Sequence, residues 1–308
     1  MFTFVDLFSG IGGFHKACHM KGGKCLLACE IDEGARKIYQ MNYGIIPHDD
    51  IRTLQPLKNI DLVCAGFPCQ SHSTLGKRRG KNDERGKLFD VLKDFIDASK
   101  PKSFLLENVT GILSSNRGHM FKHIIQSLEA IGYKVSWCVL DSKNFGLPQH
   151  RERVYIVGHK EIEFKFDRLL STIRNKKIKD IMDKKPNFDD LHCDIFEEAE
   201  IFDPPIRTGV GFVLRAKMSN FTNRKLFSSS GIIGTIPTAS PPPIYDERYH
   251  RPRHLSKNEL KRCQGFPVSF KFPGDFSRSQ VVHYVGNAVS VNVISSIVQS
   301  MISQKLLK

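Results

Sequence analysis

The residues best placed to do chemistry are Phe67-Pro68-Cys69-Gln70, which follow the short apolar run Asp61-Leu62-Val63-Cys64-Ala65-Gly66. Such a run, bounded by turn-formers, reads as a strand covered on both faces. Open α/β sheets carry out their chemistry just beyond the carboxyl ends of their strands. A cysteine held there by a rigid proline is placed as a nucleophile; the competing reading is a small buried hydrophobe. A carboxylate, Glu107, ends another apolar run, Phe104-Leu105-Leu106, and is followed by Asn108-Val109. It lies beside the Cys69 loop if the two strands are neighbours; taken alone, it reads as an exposed or capping glutamate. Gln149-His150-Arg151-Glu152-Arg153 leads into Val154-Tyr155-Ile156-Val157, and alternation puts Arg151 and Arg153 on one face, opposite Glu152. An inward arginine pair serves anions or carbonyl oxygens, the alternative being an ion pair with Glu107 or Asp141.

A second group of residues suits a nucleotide-like ligand. Asp6-Leu7-Phe8-Ser9-Gly10-Ile11-Gly12-Gly13 is a strand running into a glycine turn and a helix, with Glu30 at the end of the next strand. Glycines let the backbone approach a ligand, the helix N-terminus offers free N–H groups, and the carboxylate takes ribose hydroxyls. His15 occupies the position of the third glycine of a dinucleotide turn. An adenosyl cofactor without a pyrophosphate therefore fits better than a dinucleotide. Asp50 is placed to hydrogen-bond an adenine amino group, or simply to form a turn. After Cys69, a loop carrying Lys77, Arg78, Arg79, Lys81, Arg85 and Lys87 is broken by Gly76, Gly80 and Gly86. It reads as a clamp on a phosphate backbone, or as a solvated surface loop.

The elements that must position these groups alternate. Strands are expected at 2–8, 25–30, 61–66, 104–107, 134–140 and 154–158, with helices at 13–21, 32–42, 87–99 and 119–131. That alternation predicts a mostly parallel, doubly wound α/β sheet. Beyond about residue 160 the chain is first charged and weakly periodic, then rich in Gly, Ser, Thr and Pro, which predicts a loop-rich module of short strands. Ser256-Lys257-Asn258-Glu259 is a capping box opening a short helix, and 289–307 has the spacing of an amphipathic helix returning to the sheet. The expected division is a large domain of residues 1–160 plus 275–308 and an inserted domain of 161–274.

The chain has 308 residues, 40% of them apolar, enough for a sizeable core. No stretch reaches membrane-span length and the N-terminus reads as a strand, so a soluble, cytoplasmic protein is expected. Eight cysteines without a Cys-x-x-Cys pair argue against both a zinc site and disulfides. A formal net charge of +14 favours a polyanionic partner, nucleic acid being the commonest.

In their order along nearly the whole chain, these motifs resemble the DNA (cytosine-5) methyltransferases of the prokaryotic or viral restriction-modification type. Asp6–Gly13 is similar to the family's first cofactor motif and Pro68-Cys69-Gln70 to its nucleophile motif. Glu107-Asn108-Val109, Gln149–Arg153, Arg251–Pro267 and Val285-Gly286-Asn287-Ala288-Val289 are similar to the later ones. The resemblance implies a Rossmann-like methyltransferase fold with an inserted target-recognition domain. It also implies S-adenosylmethionine as cofactor, S-adenosylhomocysteine as product and no metal. Cys69, Glu107, Arg151 and Arg153 are then the catalytic residues. Phe8, Ile11, Gly13, Glu30, Ile31, Asp50, Ile51, Pro68, Leu88 and Asn287 are the cofactor contacts. The implied substrate is double-stranded DNA, methylated at C5 of a flipped cytosine through a Cys69–C6 adduct. A single flipped base needs no dimer, so a monomer is expected, and the sequence leaves open whether a cognate restriction endonuclease accompanies it. One departure is Ser71-His72-Ser73, where the family has an aromatic residue in place of His72. Rival readings are a tRNA cytosine methylase, whose Cys-Phe-Thr signature is not seen, a silent DNA-binding subunit, and a nicotinamide oxidoreductase, disfavoured by His15.

Overall fold

The computed structural model describes residues 1–68, 86–169, 176–187, 191, 200–201, 206–208, 211–217, 224–239, 241 and 243–308. Cys69, the altered segment at His72 and the basic loop as far as Arg85 lie outside the described residues, whereas Gly86 and Lys87 open a helix.

Six strands form the first sheet: β1 (Phe2–Leu7), β2 (Gly23–Cys29), β3 (Leu62–Ala65), β4 (Ser103–Val109), β5 (Lys134–Asp141) and β6 (Glu152–His159), in the order β2-β1-β3-β4-β6-β5. β1 pairs in parallel with β2 and β3, and β3 with β4, whereas β6 runs antiparallel to β4. The central runs β1, β3 and β4 are short and apolar, the pattern of strands covered on both faces, whereas the edge strands β2 and β5 are partly exposed. Between them lie α1 (Gly13–His19), α2 (Glu33–Tyr43), α3 (Gly86–Ser99) and α4 (His119–Ala130). Val5, Leu7, Val63, Ala65, Phe104, Leu106, Val154 and Ile156 share a core with Leu92, Phe95 and Ile96 of α3 and Phe121, Ile124 and Leu128 of α4. The strand order reverses at β1, so the carboxyl ends of β1 to β4 form the crevice where doubly wound sheets hold ligands.

The chain divides into two compact units. The first comprises Met1–Leu140, Glu152–Leu170 and Val293–Lys308; the second, Asp141–Arg151 and Ser171–Asn292. This differs from the expected division at 160/161 and 274/275: the carboxyl-terminal boundary lies after Asn292, and Asp141–Arg151 also joins the second unit.

The second unit contains the expected short strands: β7 (Glu200–Ile201), β8 (Ile206–Thr208), β9 (Gly211–Lys217), β10 (Arg224–Ser228), β11 (Ile244–Asp246) and β12 (Arg251–Arg253). They form a sheet ordered β12-β11-β10-β9-β7, with β8 on β9. Two helices follow, α5 (Lys257–Cys263) and α6 (Arg278–Asn287). The capping box is present: Ser256 Oγ accepts from Glu259 N–H at 3.1 Å, and Glu259 accepts from Ser256 N–H at 2.8 Å. Beneath it Arg253 is fully buried, its Nε 2.8 Å from Asp246 and its two terminal nitrogens each 2.8 Å from Glu259 oxygens.

The last helix, α7 (Val291–Ser303), is buried through Val293, Ile294, Ile297, Val298 and Met301. Among the described residues, only Arg278–Ser303 is long and apolar enough to cross a membrane. It is broken between α6 and α7, and most of it is buried within the protein.

Candidate active site

Where β1 ends, the backbone enters the left-handed region at Phe8 (φ 51°), Gly10 (φ 52°) and Gly12 (φ 84°). A side chain at Gly12 would place its Cβ 2.2 Å from the Tyr43 ring, so this turn needs glycine for space as well as for φ. Gly10 N–H donates to Glu30 Oε2 at 2.7 Å, and Asp32 N–H to Glu30 Oε1 at 2.9 Å. Burial pushes the Glu30 carboxyl upward, against the lowering effect of these N–H groups. The carboxylate expected to face a ribose is thus joined to the glycine turn.

The turn also rests on Tyr39 and Tyr43, which no motif names. Gly12, the N-cap of α1, has no side chain to offer, and Asp6 Oδ2 accepts instead from His15 N–H at 3.2 Å. Tyr39 hydroxyl from α2 also donates to Asp6 at 3.3 Å, and Tyr43 hydroxyl donates to Gly12 O at 2.7 Å. Asp6 is fully buried, and that burial holds its carboxyl well above the ordinary range. His15 is stacked on Tyr43 with ring centroids 4.0 Å apart and sits 2.6 Å from Tyr39 hydroxyl through Nδ1. Burial depresses its pKa to about 4. The residue that disfavours a dinucleotide turn is therefore a neutral packing group at neutral pH.

The remaining cofactor candidates take different positions. Ile31 directly follows Glu30 and is 70% exposed, whereas Ile11 and Ile51 are buried. Gly13 opens α1, Phe8 and Leu88 are partly buried against the core, and Pro68 is exposed. Asp50 caps a short 3-10 turn, accepting from Arg52 N–H at 2.9 Å and pairing with the Arg52 guanidinium at 2.6 Å. Its turn-forming reading is the one the structure displays. The guanidinium keeps its carboxyl below the usual range.

At the carboxyl end of β4, Glu107 and Arg153 come together. Ala65 pairs with Leu106, so Glu107 stands beside the segment leading to Cys69, and the neighbouring-strand condition is met. Glu107 pairs across β6 with Tyr155, two residues from Arg153, so Glu107 and Arg153 occupy one face as diagonal neighbours. Their side chains form an ion pair at 3.3 Å. Glu107 is 8% exposed. Asn108 Nδ2 donates to Phe67 O at 2.9 Å and its Oδ1 accepts from Val109 N–H at 2.8 Å, tying β4 to the residue before Pro68. Nothing in the local spacing of Asn108 announced that bond.

Arg151 departs from expectation. β6 starts at Glu152, and Arg151, only 3% exposed, donates Nη1 to Gly286 O and Nη2 to Ala288 O, each at 3.0 Å. Its backbone N–H, not its guanidinium, meets Asp141, at 3.0 Å from Oδ1. The guanidinium is committed to the turn around Asn287, which itself is exposed. The expectation of two arginines acting together is replaced by one at Glu107 and one on main-chain carbonyls.

A family model described as C-5 cytosine-specific DNA methylase matches residues 2–303. The chain is 33% identical over 314 residues to the Type II methyltransferase M.DsaV of Dactylococcopsis salina, covering 97% of this chain and 86% of that protein. It is 35% identical over 313 residues to the Type II methyltransferase M.BsuFI of Bacillus subtilis, covering 99% and 73%. The S. pombe Dnmt2 methyltransferase has the same fold, with a TM-score of 0.77, 17% identity and 99% of each chain covered.

Proposed function

The chain belongs to the C-5 cytosine-specific DNA methylases, and from that premise we propose that it flips a cytosine out of double-stranded DNA and methylates it through a transient bond to Cys69. The enzyme is a DNA cytosine-5 methyltransferase of the restriction-modification type that uses S-adenosylmethionine. Its residues suit that cofactor. Ile31 offers an open apolar surface for a purine face, beside a Glu30 carboxylate already joined to the glycine turn. Ser9 in that turn keeps a buried hydroxyl with no hydrogen-bond partner among the described residues. Phe8, Ile11, Gly13, Asp50, Ile51, Pro68, Leu88 and Asn287 complete the proposed contacts. When bound, S-adenosylmethionine supplies an electrophilic methyl group.

The observation that carries the reading is the Glu107–Arg153 pair beside the strand end leading to Cys69. Cytosine C5 is a poor nucleophile until the ring is activated. The Cys69 thiolate adds to C6, and the electron pair displaced from the C5–C6 bond makes C5 nucleophilic. Glu107, protonated or sharing a proton with the base, hydrogen-bonds N3 and the exocyclic amine and offsets the charge developing there. Arg153, oriented by Glu107, donates to the base oxygen O2. Once C5 carries the methyl group, water takes the C5 proton, the C5–H pair re-forms the C5–C6 double bond, and the C–S electron pair returns to sulfur and frees Cys69. A stacked duplex gives Cys69 no access to C6, hence the base flipping. Sequence reading falls to the second unit, with the major groove offering the donor and acceptor code that its loops would read.

Single-base conversion sequencing of DNA from cells producing the enzyme, beside Cys69→Ser, tests this. Protected cytosines at one short motif, lost in the variant, are expected. Full protection with Cys69→Ser would rule out the covalent route, and labelling of tRNA in place of DNA would favour an RNA substrate.

A further inference from the structure

We propose that Arg151 is a positioning residue for the cofactor site: it holds the turn that presents Asn287, and it acts on cofactor affinity rather than on the base. This rests on the reading of Asn287 as a cofactor contact.

The last carbonyls of a helix have no intrahelical donors. At the end of α6 those carbonyls are met by side chains distant in sequence. Arg151 spans Gly286 O and Ala288 O, the carbonyls on either side of Asn287. Gln264 Nε2 adds donations to Ala288 O at 2.6 Å and to Val285 O at 3.3 Å. Gln264 is oriented in turn by Gln149, whose Nε2 donates to Gln264 Oε1 at 2.6 Å while its Oε1 accepts from Ile236 N–H at 2.9 Å. Arg151, Gln149 and Gln264 are each at most 3% exposed.

The clamp has one exposed product. Val285, Gly286, Ala288 and Val289 are buried, yet Asn287 between them faces outward. The turn is also closed from the other side, because a Cβ at Gly286 would lie 2.4 Å from Pro237 O. A planar guanidinium bridges two carbonyls of fixed separation, which a single ammonium cannot do with the same geometry. A positive charge at a helix carboxyl end is favourable as well. Removing Arg151 therefore frees the Asn287 turn while leaving the Glu107–Arg153 pair its own contacts.

The test compares Arg151→Ala, Asn287→Ala and the double variant in the full chain. Binding of S-adenosylmethionine is measured by titration calorimetry without DNA, and methylation in a single turnover at saturating cofactor and DNA. Arg151→Ala should raise the dissociation constant about tenfold, as expected for losing charge-assisted hydrogen bonds, with the single-turnover rate within about threefold of wild type. Asn287→Ala should weaken binding in the same direction, and the double variant should bind no worse than the weaker single one, as for groups acting through one contact. Unchanged cofactor affinity with a rate reduced about a hundredfold would overturn the proposal and put Arg151 at the base. So would weakened binding in Arg151→Ala with wild-type binding in Asn287→Ala. If wild type fails to bind S-adenosylmethionine, the cofactor assignment itself falls. Thermal melting reports folding, and if Arg151→Ala does not fold, Arg151→Lys, which keeps the charge and loses the bridge, carries the same comparison.

Discussion

In the first unit Asp6 and Glu30 stand at strand ends among N–H and hydroxyl donors; in the second Asp246 and Glu259 are matched by arginines. Asp6 and Glu30 are held above the ordinary carboxyl range by burial, with only main-chain and tyrosine donors pulling the other way. Asp246 is just as buried, but donation from Arg248 and Arg253 outweighs desolvation and holds its carboxyl low. Acids left at an energetic disadvantage cluster where a ligand is to be met, whereas satisfied ones hold a frame. The first unit is thus a core that spends stability on its crevice. The second is a loop-rich module in which ion pairs replace part of the core.

The most severe way to break that comparison is Arg253→Leu. Asp246 and Glu259 would be left buried without their shared cation, at a cost of about 3–5 kcal/mol. Hydrogen exchange should show protection lost in β11, β12 and α5, with β1, β3 and β4 retaining theirs. Equal loss in both units would mean that they do not hold their stability separately.

Acid separates the units next. The folded pKa of His15 lies near 4 against an ordinary value of 6.5, so the folded state resists a proton that the unfolded chain accepts. Its contribution is complete above pH 6.5 and is lost as pH falls toward 4, for a total of about 3 kcal/mol. Asp246 titrates lower in the folded protein than unfolded, so its contribution persists down to the ordinary carboxyl range and is lost only below it. Asp6 and Glu30 act in the opposite sense to His15, so the measured quantity is the difference between wild type and His15→Gln. Chemical denaturation at pH 7 and pH 5 should show wild type losing more stability than the variant. Equal losses would remove His15 as the acid-sensitive group.

What was legible in the sequence follows the same divide. The strands of the first sheet are short apolar runs whose partners are dictated by burial, and their ends named the glycine turn, Glu30 and Glu107. The missing pieces are bonds between residues far apart in the chain. Tyr39 reaches Asp6 across 33 positions, Asn108 reaches Phe67 across 41, and Arg151 reaches Gly286 across 135. Tyr39 had an unremarkable local setting, and the motifs that carry Asn108 and Arg151 did not reveal their partners. Alternation suggested that Arg151 and Arg153 act together, because periodicity reports a face and not the partner waiting on it.

Gly12→Ala sharpens the comparison from within the first unit. The left-handed φ and the displacement of Tyr43 together should cost about 2 kcal/mol. Because the strain falls on the turn that holds Glu30, affinity for S-adenosylmethionine should drop while DNA affinity is retained. A stability loss with wild-type cofactor binding would show the turn to be packing alone.

The smallest effect on stability is expected for Asn108→Ala, and it is the most telling about how the crevice is built. Asn108 makes two hydrogen bonds, one of them to the Phe67 carbonyl at the root of the Cys69 segment. Its removal should cost about 1 kcal/mol, less than any change above. The consequence for turnover should be larger, because that carbonyl is held from β4, the strand that also carries Glu107. Loss of the bond lets the nucleophile and the acid move independently, and a small misplacement of reacting groups slows chemistry far more than it loosens a fold. The single-turnover rate of Asn108→Ala should therefore fall well beyond what its melting temperature suggests, whereas an equally mild lesion on the second unit's frame should leave the rate near wild type. Proportionate losses of rate and stability would mean that Asn108 serves the core, and that the first unit's polar groups are no more specialised than those of the second.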